Sequence, residues 1–220
     1  MLHTKLAIFD MDGLIFDSER VFMNELGKVM LNYGYKLTKD IYIQTLGLTG
    51  KNLEAKMKDN YGLDYPFAEI SSEARRRVTS LFENGEVSVK YGIPELLAFL
   101  KKCTIPCVIA SSTKTMYIKK YISIAGIEGF FSDVIGGEMA ERSKPYPDIF
   151  VLACNRNDIV PEEALVFEDS ENGVKAALSA GIKVICIPDL AVPPKDIMDK
   201  ALFCAKNAFK VVEYLNKTNI

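Results

Sequence analysis

The sequence predicts an α/β protein in which a parallel sheet is interrupted, after its first strand, by a helical insert. A short apolar run at residues 6–9 has the size of a buried strand, and acids follow it directly. Residues 16–88 then show helical periodicity with few β-branched runs, whereas strand-like and helical segments alternate from Tyr91 onward. We therefore expect residues 1–15 and 89–220 to form the sheet-containing domain and residues 16–88 to form a helical domain.

The insert is predicted to contain four helices. The first begins at Asp17-Ser18, a pair that can provide its N-cap, and ends near Gly34. We expect Asp17, Ser18 and Glu19 to cap or brace this helix rather than to take part in chemistry. The other three helices cover about residues 39–46, 52–60 and 67–82.

The second part of the chain predicts helices and strands in alternation. The predicted helices cover about residues 94–102, 114–125, 148–155 and 172–180, and the predicted strands cover about residues 107–110, 134–135, 165–167 and 184–187. Gly181 closes the last of these helices. Such alternation is typical of a parallel sheet with helices on its faces.

Composition and charge narrow the class of protein. A chain of 220 residues with 49% hydrophobic content can bury a sizeable core in one domain or in two small ones. Its 27 basic and 29 acidic residues give a net charge of −2, which argues against nucleic acid or an anionic membrane surface as a partner. The apolar runs are strand-sized and no signal-peptide pattern opens the chain, so we expect a cytoplasmic protein without a membrane span. A monomer is the default expectation.

The histidine and cysteine content narrows the chemistry. A single histidine, His3, nearly excludes histidine-based catalytic triads and zinc sites. The five cysteines are an odd number in apolar segments, which favours reduced core thiols over a disulfide framework. An enzyme of this composition takes its nucleophile and its acid or base from carboxylates, lysines or hydroxyls.

Polar side chains follow three of the predicted strands. They are Asp10 and Asp12 after residues 6–9, Ser111 after residues 107–110, and Glu168 and Asp169 after residues 165–167. In an open α/β sheet, ligands bind beyond the carboxyl ends of the strands, so we expect these groups to share one site. Four acids in one place repel one another unless a cation joins them. An oxygen-lined cluster of this kind implies a hard metal ion such as Mg²⁺.

Lys144 offers a positive charge to the same site, from a Lys-Pro-Tyr-Pro-Asp segment at residues 144–148. A metal ion, a lysine and a hydroxyl together describe a site for phosphoryl groups. Each feature alone has a simpler explanation, because acids after strands often cap helices and lone lysines are often solvated. In the same way, Ser112 and Thr113 are expected to cap the helix that follows Ser111.

Four motifs in this order resemble those of the haloacid dehalogenase superfamily, in its β-phosphoglucomutase-like phosphatase branch. They are Asp10-Met11-Asp12-Gly13 with residues 14–19, Ser111, Lys144-Pro145 with Asp148, and Glu168-Asp169-Ser170 with Asn172-Gly173. The resemblance covers nearly the whole chain. It implies a Rossmann-like core with an α-helical cap inserted after the first strand. This agrees with the change in the predicted secondary-structure pattern at both boundaries of the insert.

The resemblance also implies a role for each motif residue. Asp10 would be the nucleophile that forms an aspartyl-phosphate, and Asp12 the general acid toward the leaving oxygen and then the general base for water. The metal ion, Mg²⁺, would be held by Asp10, Glu168, Asp169 and the backbone carbonyl of Asp12. The phosphoryl group would be held near Gly13, Ser111, Ser112 and Lys144.

Two positions in the insert separate phosphatases from mutases in this branch. This chain has Phe22 where β-phosphoglucomutases carry a histidine, and Gly-Leu-Thr-Gly-Lys at residues 47–51 in place of a Gly-x-Ser-Arg-like loop. Both mutase markers are therefore missing, although Lys51 could substitute for the arginine. We expect hydrolysis of a small phosphomonoester, with a sugar phosphate favoured.

Two alternatives stay open. Thr113 and Lys114 resemble a Ser-Lys pair that contacts a second phosphate in the mutase branch, which keeps a β-phosphoglucomutase-type activity as the runner-up. A non-catalytic phosphate-binding protein of the same fold is less favoured, because both acid pairs are intact.

Overall fold

The computed structural model describes residues 3–48 and 50–218. The chain forms two compact units, the first made of Met1–Asp17 and Ser88–Ile220 and the second of Ser18–Val87. The sheet lies in the first unit, and the second unit is helical. The helical domain expected at residues 16–88 begins two residues before the second unit and ends one residue after it.

Among the residues that the structure describes, four helices form the second unit. They are α1 (Ser18–Asn32), α2 (Lys39–Ile43), α3 (Gly50–Tyr61) and α4 (Phe67–Glu83). The two longest, α1 and α4, pack against each other. On α4 the buried residues Ile70, Ala74 and Val78 recur every four positions, which is the spacing that places side chains on one face of a helix.

The helix α2 is shorter than the sequence predicts. The predicted helix covers residues 39–46, but α2 ends at Ile43 and Gln44 forms its C-cap. The Thr45 hydroxyl then donates to the Tyr42 carbonyl at 2.6 Å, and Gly47 has a φ of 76°. A threonine hydroxyl bonded to a nearby backbone carbonyl competes with the helical bonding pattern, so the chain turns earlier than periodicity indicates.

The first unit contains a six-stranded parallel sheet in the order β3-β2-β1-β4-β5-β6. The strands are β1 (Leu6–Phe9), β2 (Cys107–Ala110), β3 (Phe131–Ile135), β4 (Ala164–Glu168), β5 (Lys183–Cys186) and β6 (Phe203–Cys204). Phe9 on β1 lies in register with Ile109 on β2 and with Phe167 on β4. The predicted α/β class with a parallel sheet is therefore confirmed, and β1 sits between the two strands that carry the other candidate site residues.

The described part of this unit, residues 3–17 and 88–218, also contains six helices. They are α5 (Ile93–Lys102), α6 (Thr115–Ile124), α7 (Asp148–Arg156), α8 (Glu171–Ser179), α9 (Lys195–Met198) and α10 (Ala208–Thr218). Short 3₁₀ turns lie at Glu128–Phe130, Gly137–Met139 and Pro161–Glu163. The sequence predicts α5 to α8 to within two residues at each end, whereas β6, α9 and α10 lie beyond the last predicted strand.

The central strands are buried on both faces. Every residue of β1 and of β4 is buried, and the rings of Phe9 and Phe167 stack with their centroids 4.6 Å apart. Burial of a side chain of this size contributes about 1.5–3 kcal/mol. Phe9 directly precedes Asp10, and Phe167 directly precedes Glu168. The backbone that carries these two acids is therefore held in place by a well-packed core.

Composition predicts that the cysteines are reduced core thiols. All five cysteines are free, and Cys107, Cys154 and Cys186 are buried, which agrees with reduced core thiols, although Cys204 is exposed. Burial raises the pKa of the Cys107 thiol to about 12.

Within residues 3–48 and 50–218, no helix combines the length and the apolar character needed to cross a membrane.

Candidate active site

The sheet topology brings the predicted site residues to one edge. Asp10 follows β1, Ser111 follows β2, and Glu168 ends β4 with Asp169 next in the chain. The Asp10 N–H donates to the Phe167 carbonyl at 3.0 Å, so the backbone after β1 continues its pairing with β4. Since neighbouring parallel strands end on the same side of a sheet, the side chains that follow them meet there.

Three buried carboxylates form the centre of this site. Asp10, Glu168 and Asp169 each offer an oxygen, and these oxygens all lie within 4.8 Å of one another. Buried like charges at this spacing are costly unless a cation compensates them. Oxygen ligands of this kind are those that hard divalent cations prefer. The residues present therefore fit a metal ion of that class.

Lys144 supplies one positive charge to the cluster. Its Nζ donates to Asp10 Oδ1 at 2.5 Å, to Glu168 Oε1 at 2.6 Å and to the Ala110 carbonyl at 3.3 Å. Burial alone lowers the pKa of the Lys144 ammonium, but the two carboxylates outweigh burial and raise the pKa above its ordinary range. Lys144 is therefore a fixed cation beside Asp10 and Glu168, and its predicted role in binding phosphoryl oxygens stays a prediction.

The protonation of Asp10 depends on what shares the site with it. Burial raises the pKa of its carboxyl to about 8, the charges of Glu168 and Asp12 raise it as well, and Lys144 opposes them. A divalent cation bound to these carboxylates would favour the ionised form of Asp10. Burial and the neighbouring carboxylates thus favour the neutral form of Asp10, whereas positive charge at the site favours its ionised form.

Glu168 is held in one direction by its hydrogen bonds. Its Oε2 accepts from the N–H of Asp169 at 2.8 Å, from the N–H of Ser170 at 2.9 Å and from the Ser170 hydroxyl at 3.0 Å. Ser170 is also the N-cap of α8, where its Oγ accepts from the Gly173 N–H at 3.1 Å. A Cβ at Gly173 would overlap the Glu168 carboxylate, so the glycine makes room for this acid.

Gly13 leaves space for the Asp169 side chain, as Gly173 does for the Glu168 side chain. It has a φ of 78°, which favours glycine, and a Cβ added there would overlap the Asp169 carboxylate. The family resemblance implies that Gly13 lies near a bound phosphate, and that role stays a prediction. The structure adds that the first motif and Asp169 are packed against each other at this point.

Asp12 is half-buried and accepts hydrogen bonds from two hydroxyls. Thr113 Oγ1 donates to Asp12 Oδ2 at 2.7 Å, and Ser111 Oγ donates to the same oxygen at 3.4 Å. Ser111 Oγ in turn accepts from the Thr113 N–H at 3.1 Å. The contact between Thr113 and Asp12 was not predicted, because a spacing of 101 residues leaves no local sequence signal.

The expectation that Ser112 and Thr113 cap the next helix is wrong. The N-cap position of α6 is Lys114, which makes no side-chain capping bond. The Glu138 carboxylate takes this place, and it accepts from the Thr115 N–H at 2.9 and 3.2 Å. A carboxylate is favoured at a helix N-terminus, and this one comes from a neighbouring loop that sequence spacing does not identify. Ser112 and Lys114 are exposed.

A second ion pair supports the segment that carries Lys144. The Arg142 side chain donates to Asp148 through Nε at 3.0 Å and through Nη2 at 2.9 Å, and the Arg142 N–H donates to Asp148 at 3.2 Å. The guanidinium also lies 4.4 Å from the centre of the Tyr146 ring. Arg142 was not among the predicted site residues, and it closes the loop on either side of Lys144.

The two candidate substrate residues of the insert belong to the helical unit. Phe22 lies on α1, with its ring 6.4 Å from the ring of Tyr42, whose hydroxyl donates to Glu19 at 2.6 Å. Lys51 is exposed in the first turn of α3. Thr49, in the loop compared with the mutase loop, lies outside the described residues. The substrate roles of Phe22 and Lys51 therefore stay predictions.

Comparison with known proteins gives consistent matches over most of the chain. The family model described as haloacid dehalogenase-like hydrolase matches residues 7–187. A phosphorylated carbohydrates phosphatase of Thermotoga maritima is 31% identical over 185 residues, which cover 81% of this chain and 82% of that protein. A probable pseudouridine-5'-phosphatase of Drosophila melanogaster is 32% identical over 189 residues, covering 83% of this chain and 81% of its own.

A solved structure shows the same fold. The crystal structure of β-phosphoglucomutase from Clostridium difficile superposes with a TM-score of 0.76 at 20% sequence identity, over 97% of this chain and 96% of that chain. The chain belongs to the haloacid dehalogenase-like hydrolase family. Within that family it is a phosphoric monoester hydrolase.

Proposed function

We propose that the chain is a Mg²⁺-dependent phosphatase that hydrolyses a small sugar phosphate through an aspartyl-phosphate formed on Asp10. The observation that carries this proposal is the position of the Asp10 carboxylate, which lies 2.5 Å from the Lys144 ammonium and within 4.8 Å of oxygens from Glu168 and Asp169. A carboxylate nucleophile needs close positive charge, because an incoming phosphoryl group is itself negative.

The relatives support the substrate class. One is named for phosphorylated carbohydrates and the other as a pseudouridine-5'-phosphatase, and each is more than 30% identical to this chain over more than four-fifths of it. We therefore extend the class of small phosphorylated compounds to this protein. The missing mutase markers at Phe22 and at residues 47–51 are consistent with water as the acceptor.

The proposed reaction has two steps. In the first, an Asp10 oxygen forms a bond to phosphorus while the bond from phosphorus to the alcohol oxygen breaks, and Asp12 gives that oxygen its proton. In the second, water attacks the phosphorus of the aspartyl-phosphate, Asp12 takes a proton from it, and inorganic phosphate and free Asp10 result. Asp12 suits this role because it is half-buried and is bonded only through hydroxyl donors among the contacts described above.

The remaining site residues hold charge in place. Lys144 and the Ser111 hydroxyl would bind phosphoryl oxygens, with Ser112 and the turn at Gly13 next to them. Asp10, Glu168, Asp169 and the Asp12 carbonyl would hold Mg²⁺, which when bound offsets charge on the transferring oxygens. The buried carboxylates are the donor set that such a cation needs.

The second-phosphate site that a mutase needs is not favoured at Thr113 and Lys114. The Thr113 hydroxyl is bonded to Asp12, and the Thr115 N–H at the start of α6 is bonded to the Glu138 carboxylate. A second phosphate at this helix end would face that carboxylate, and like charges at short range repel each other. Hydrolysis therefore remains the proposal, with the mutase as an outcome of the test.

The test is a product assay with Mg²⁺ and a panel of sugar phosphates, nucleotides and β-glucose 1-phosphate. Asp10→Asn should lower turnover by at least about 10⁴-fold, because it removes the nucleophile. Asp199→Asn is the matched control, since Asp199 is a surface acid paired with Lys195. Release of inorganic phosphate by the wild type and by the control, but not by Asp10→Asn, supports the proposal.

Two other outcomes would contradict it. Conversion of β-glucose 1-phosphate to glucose 6-phosphate without phosphate release would make the enzyme a mutase. Full turnover by Asp10→Asn would rule out the aspartyl-phosphate. EDTA should abolish activity and Mg²⁺ should restore it, whereas metal-independent turnover would contradict the role of the carboxylate cluster.

A further inference from the structure

Lys90 contacts the loop of the first motif in two places. Its backbone N–H donates to the Ile15 carbonyl at 2.7 Å, and its side-chain ammonium donates to the Gly13 carbonyl at 2.5 Å. The side-chain bond joins residues that are 77 positions apart in the sequence. The roles proposed above do not involve Lys90, and no motif of the sequence includes it.

Asp189 holds the Lys90 ammonium from the other side. Asp189 lies in the segment after β5, and its Oδ1 accepts from Lys90 Nζ at 2.7 Å. The Asp189 side chain is 2% exposed and that of Lys90 is 20% exposed. A buried ion pair is costly unless its geometry is good and its remaining hydrogen-bonding groups find partners. The Gly13 carbonyl is such a partner for the Lys90 ammonium. The ion pair and the loop therefore hold each other in position.

The loop that Lys90 contacts is closed by its own backbone. The Met11 carbonyl accepts from the N–H of Ile15 at 2.9 Å and of Phe16 at 3.1 Å, and the Gly13 N–H donates to the Phe16 carbonyl at 3.2 Å. These three bonds link residues 11–16 into a closed turn. The two bonds from Lys90 tie it to a different part of the first unit.

The position of this loop affects two proposed metal ligands. Asp12 directly precedes Gly13, and Gly13 lies so close to the Asp169 carboxylate that a Cβ would overlap it. A shift of the Gly13 peptide would therefore change the distance between the Asp12 carbonyl and Asp169. Residues that orient metal ligands commonly change metal affinity by about 10- to 100-fold when they are replaced.

We propose that Lys90, oriented by Asp189, is a positioning residue that sets the geometry of the metal site through the Gly13 carbonyl. This inference rests on the proposed function for the identity of the metal ligands. It assigns the Lys90–Asp189 pair to binding of the divalent cation, and not only to stability of the fold.

The test uses the double variant Lys90→Met/Asp189→Asn. Lys90→Met alone would leave a buried carboxylate without its ammonium and could unfold the chain, whereas the double variant removes both charges. The matched control is Lys195→Met/Asp199→Asn, which removes a lysine–aspartate pair whose side chains are 82% and 60% exposed. Mg²⁺ affinity is measured by calorimetry on the full chain, together with turnover and thermal unfolding.

The double variant should bind Mg²⁺ about tenfold more weakly than the wild type or more, and it should turn over more slowly, while it still unfolds cooperatively. The control should match the wild type. Lys90→Arg should recover part of the Mg²⁺ affinity, because a guanidinium can keep bonds to both Asp189 and Gly13. If the double variant does not fold, Asp189→Asn takes its place, and a several-fold loss of Mg²⁺ affinity is expected because the ammonium loses its orientation.

Mg²⁺ affinity distinguishes failure of this inference from failure of the proposed function. A folded double variant with wild-type Mg²⁺ affinity would overturn the role of Lys90, and so would an equal loss in the control. A wild type that binds Mg²⁺ but hydrolyses no phosphomonoester would contradict the proposed function, and the affinities would still decide the role of Lys90. A wild type that binds no Mg²⁺ would overturn both.

Discussion

Glu168 and Asp12 follow neighbouring strands of one sheet, but these two acids are held in different ways. After β4, the Glu168 side chain is 1% exposed and accepts from Lys144, from two backbone N–H groups and from the Ser170 hydroxyl. After β1, Asp12 is half-buried, and the donors to its carboxylate are the hydroxyls of Thr113 and Ser111. One acid is locked in place, while the other can be reached from solvent.

This difference matches two kinds of chemical work. An acid that holds a cation must not move, and backbone N–H donors together with a lysine fix the direction of a carboxylate. An acid that transfers protons must be within reach of the leaving group and of water. The bonding around Glu168 suits the first task, and the bonding around Asp12 suits the second.

Replacement of the accessible acid should separate chemistry from stability most clearly. Asp12→Asn should lower turnover of an alkyl phosphate by about 10²- to 10⁴-fold, because the poor leaving group then departs without a proton. Turnover of an activated aryl phosphate should fall much less. The free energy of unfolding should stay within about 0.5 kcal/mol of the wild type, since the residue is half-buried and its carboxamide can still accept from Thr113.

Steady-state kinetics with both substrates and denaturant unfolding measure this result. Glu168→Gln is the comparison, and it should instead weaken Mg²⁺ binding and lower the free energy of unfolding, because a buried lysine loses one of its carboxylates. An equal loss of rate for alkyl and aryl phosphates in Asp12→Asn would count against its role as the acid. Equal stabilities of the two variants would remove the contrast between the two acid pairs.

The pH dependence of Mg²⁺ binding tests the other acid of the β1 pair. The Asp10 pKa is raised from 3.8 to about 8, mainly by burial, so the folded metal-free protein keeps a proton that the unfolded chain has lost. The stability of the metal-free protein should therefore fall as the pH rises between these two values. Because Mg²⁺ must displace this proton, its affinity should rise by up to about tenfold per pH unit below the Asp10 pKa and level off above it.

Calorimetry at several pH values, in buffers of different ionisation enthalpy, measures both the affinity and the number of protons released. Asp10→Asn has no proton to release, so whatever Mg²⁺ affinity it retains should vary little over the same range. A wild-type Mg²⁺ affinity that does not change between pH 6 and pH 8 would contradict the raised pKa of Asp10. It would also show that Lys144 lowers the Asp10 pKa more than burial raises it.

The parts of the site that the sequence predicts are those next to a strand end. Asp10, Ser111 and Glu168 follow short apolar runs, and the fully buried strands β1, β2 and β4 are the easiest elements to recognise from such runs. The strand β6 has two residues, too few to form a pattern. The helix α10 was missed although Ala208, Val211 and Leu215 have helical spacing, so that signal was available.

The parts that the sequence does not predict are contacts between distant segments. Thr113 and Asp12 are 101 residues apart, Lys90 and Gly13 are 77 apart, and nothing in the local sequence pairs them. Thr113 and Lys90 are polar residues in loops, for which helix capping or exposure to solvent is the ordinary expectation. The order of the strands in the sheet, which brings the ends of β1 and β2 together, accounts for the contact between Thr113 and Asp12.

The smallest change that probes the locked acid is one methyl group at Gly173. In an exposed helix, replacement of glycine by alanine is usually stabilising by up to about 1 kcal/mol. At Gly173 the new Cβ would overlap the Glu168 carboxylate, which its donors hold on both oxygens, so the acid or the start of α8 must shift. We therefore expect the opposite sign, a loss of about 1–3 kcal/mol in the free energy of unfolding, with several-fold weaker Mg²⁺ binding.

Denaturant unfolding and calorimetry measure the two effects of Gly173→Ala. The matched control is Gly129→Ala, because Gly129 lies in the short 3₁₀ helix Glu128–Phe130, is exposed, and has no heavy atom within 4 Å of an added Cβ. A Gly173→Ala protein that is as stable as the wild type and binds Mg²⁺ equally well would mean that Glu168 can move without loss. Asp12 accepts its described hydrogen bonds from Ser111 and Thr113, which follow β2, and none of these bonds comes from α8. The ratio of alkyl to aryl phosphate turnover, which reports on Asp12, should therefore be unchanged in Gly173→Ala. A change in that ratio would mean that Glu168 and Asp12 are not independent.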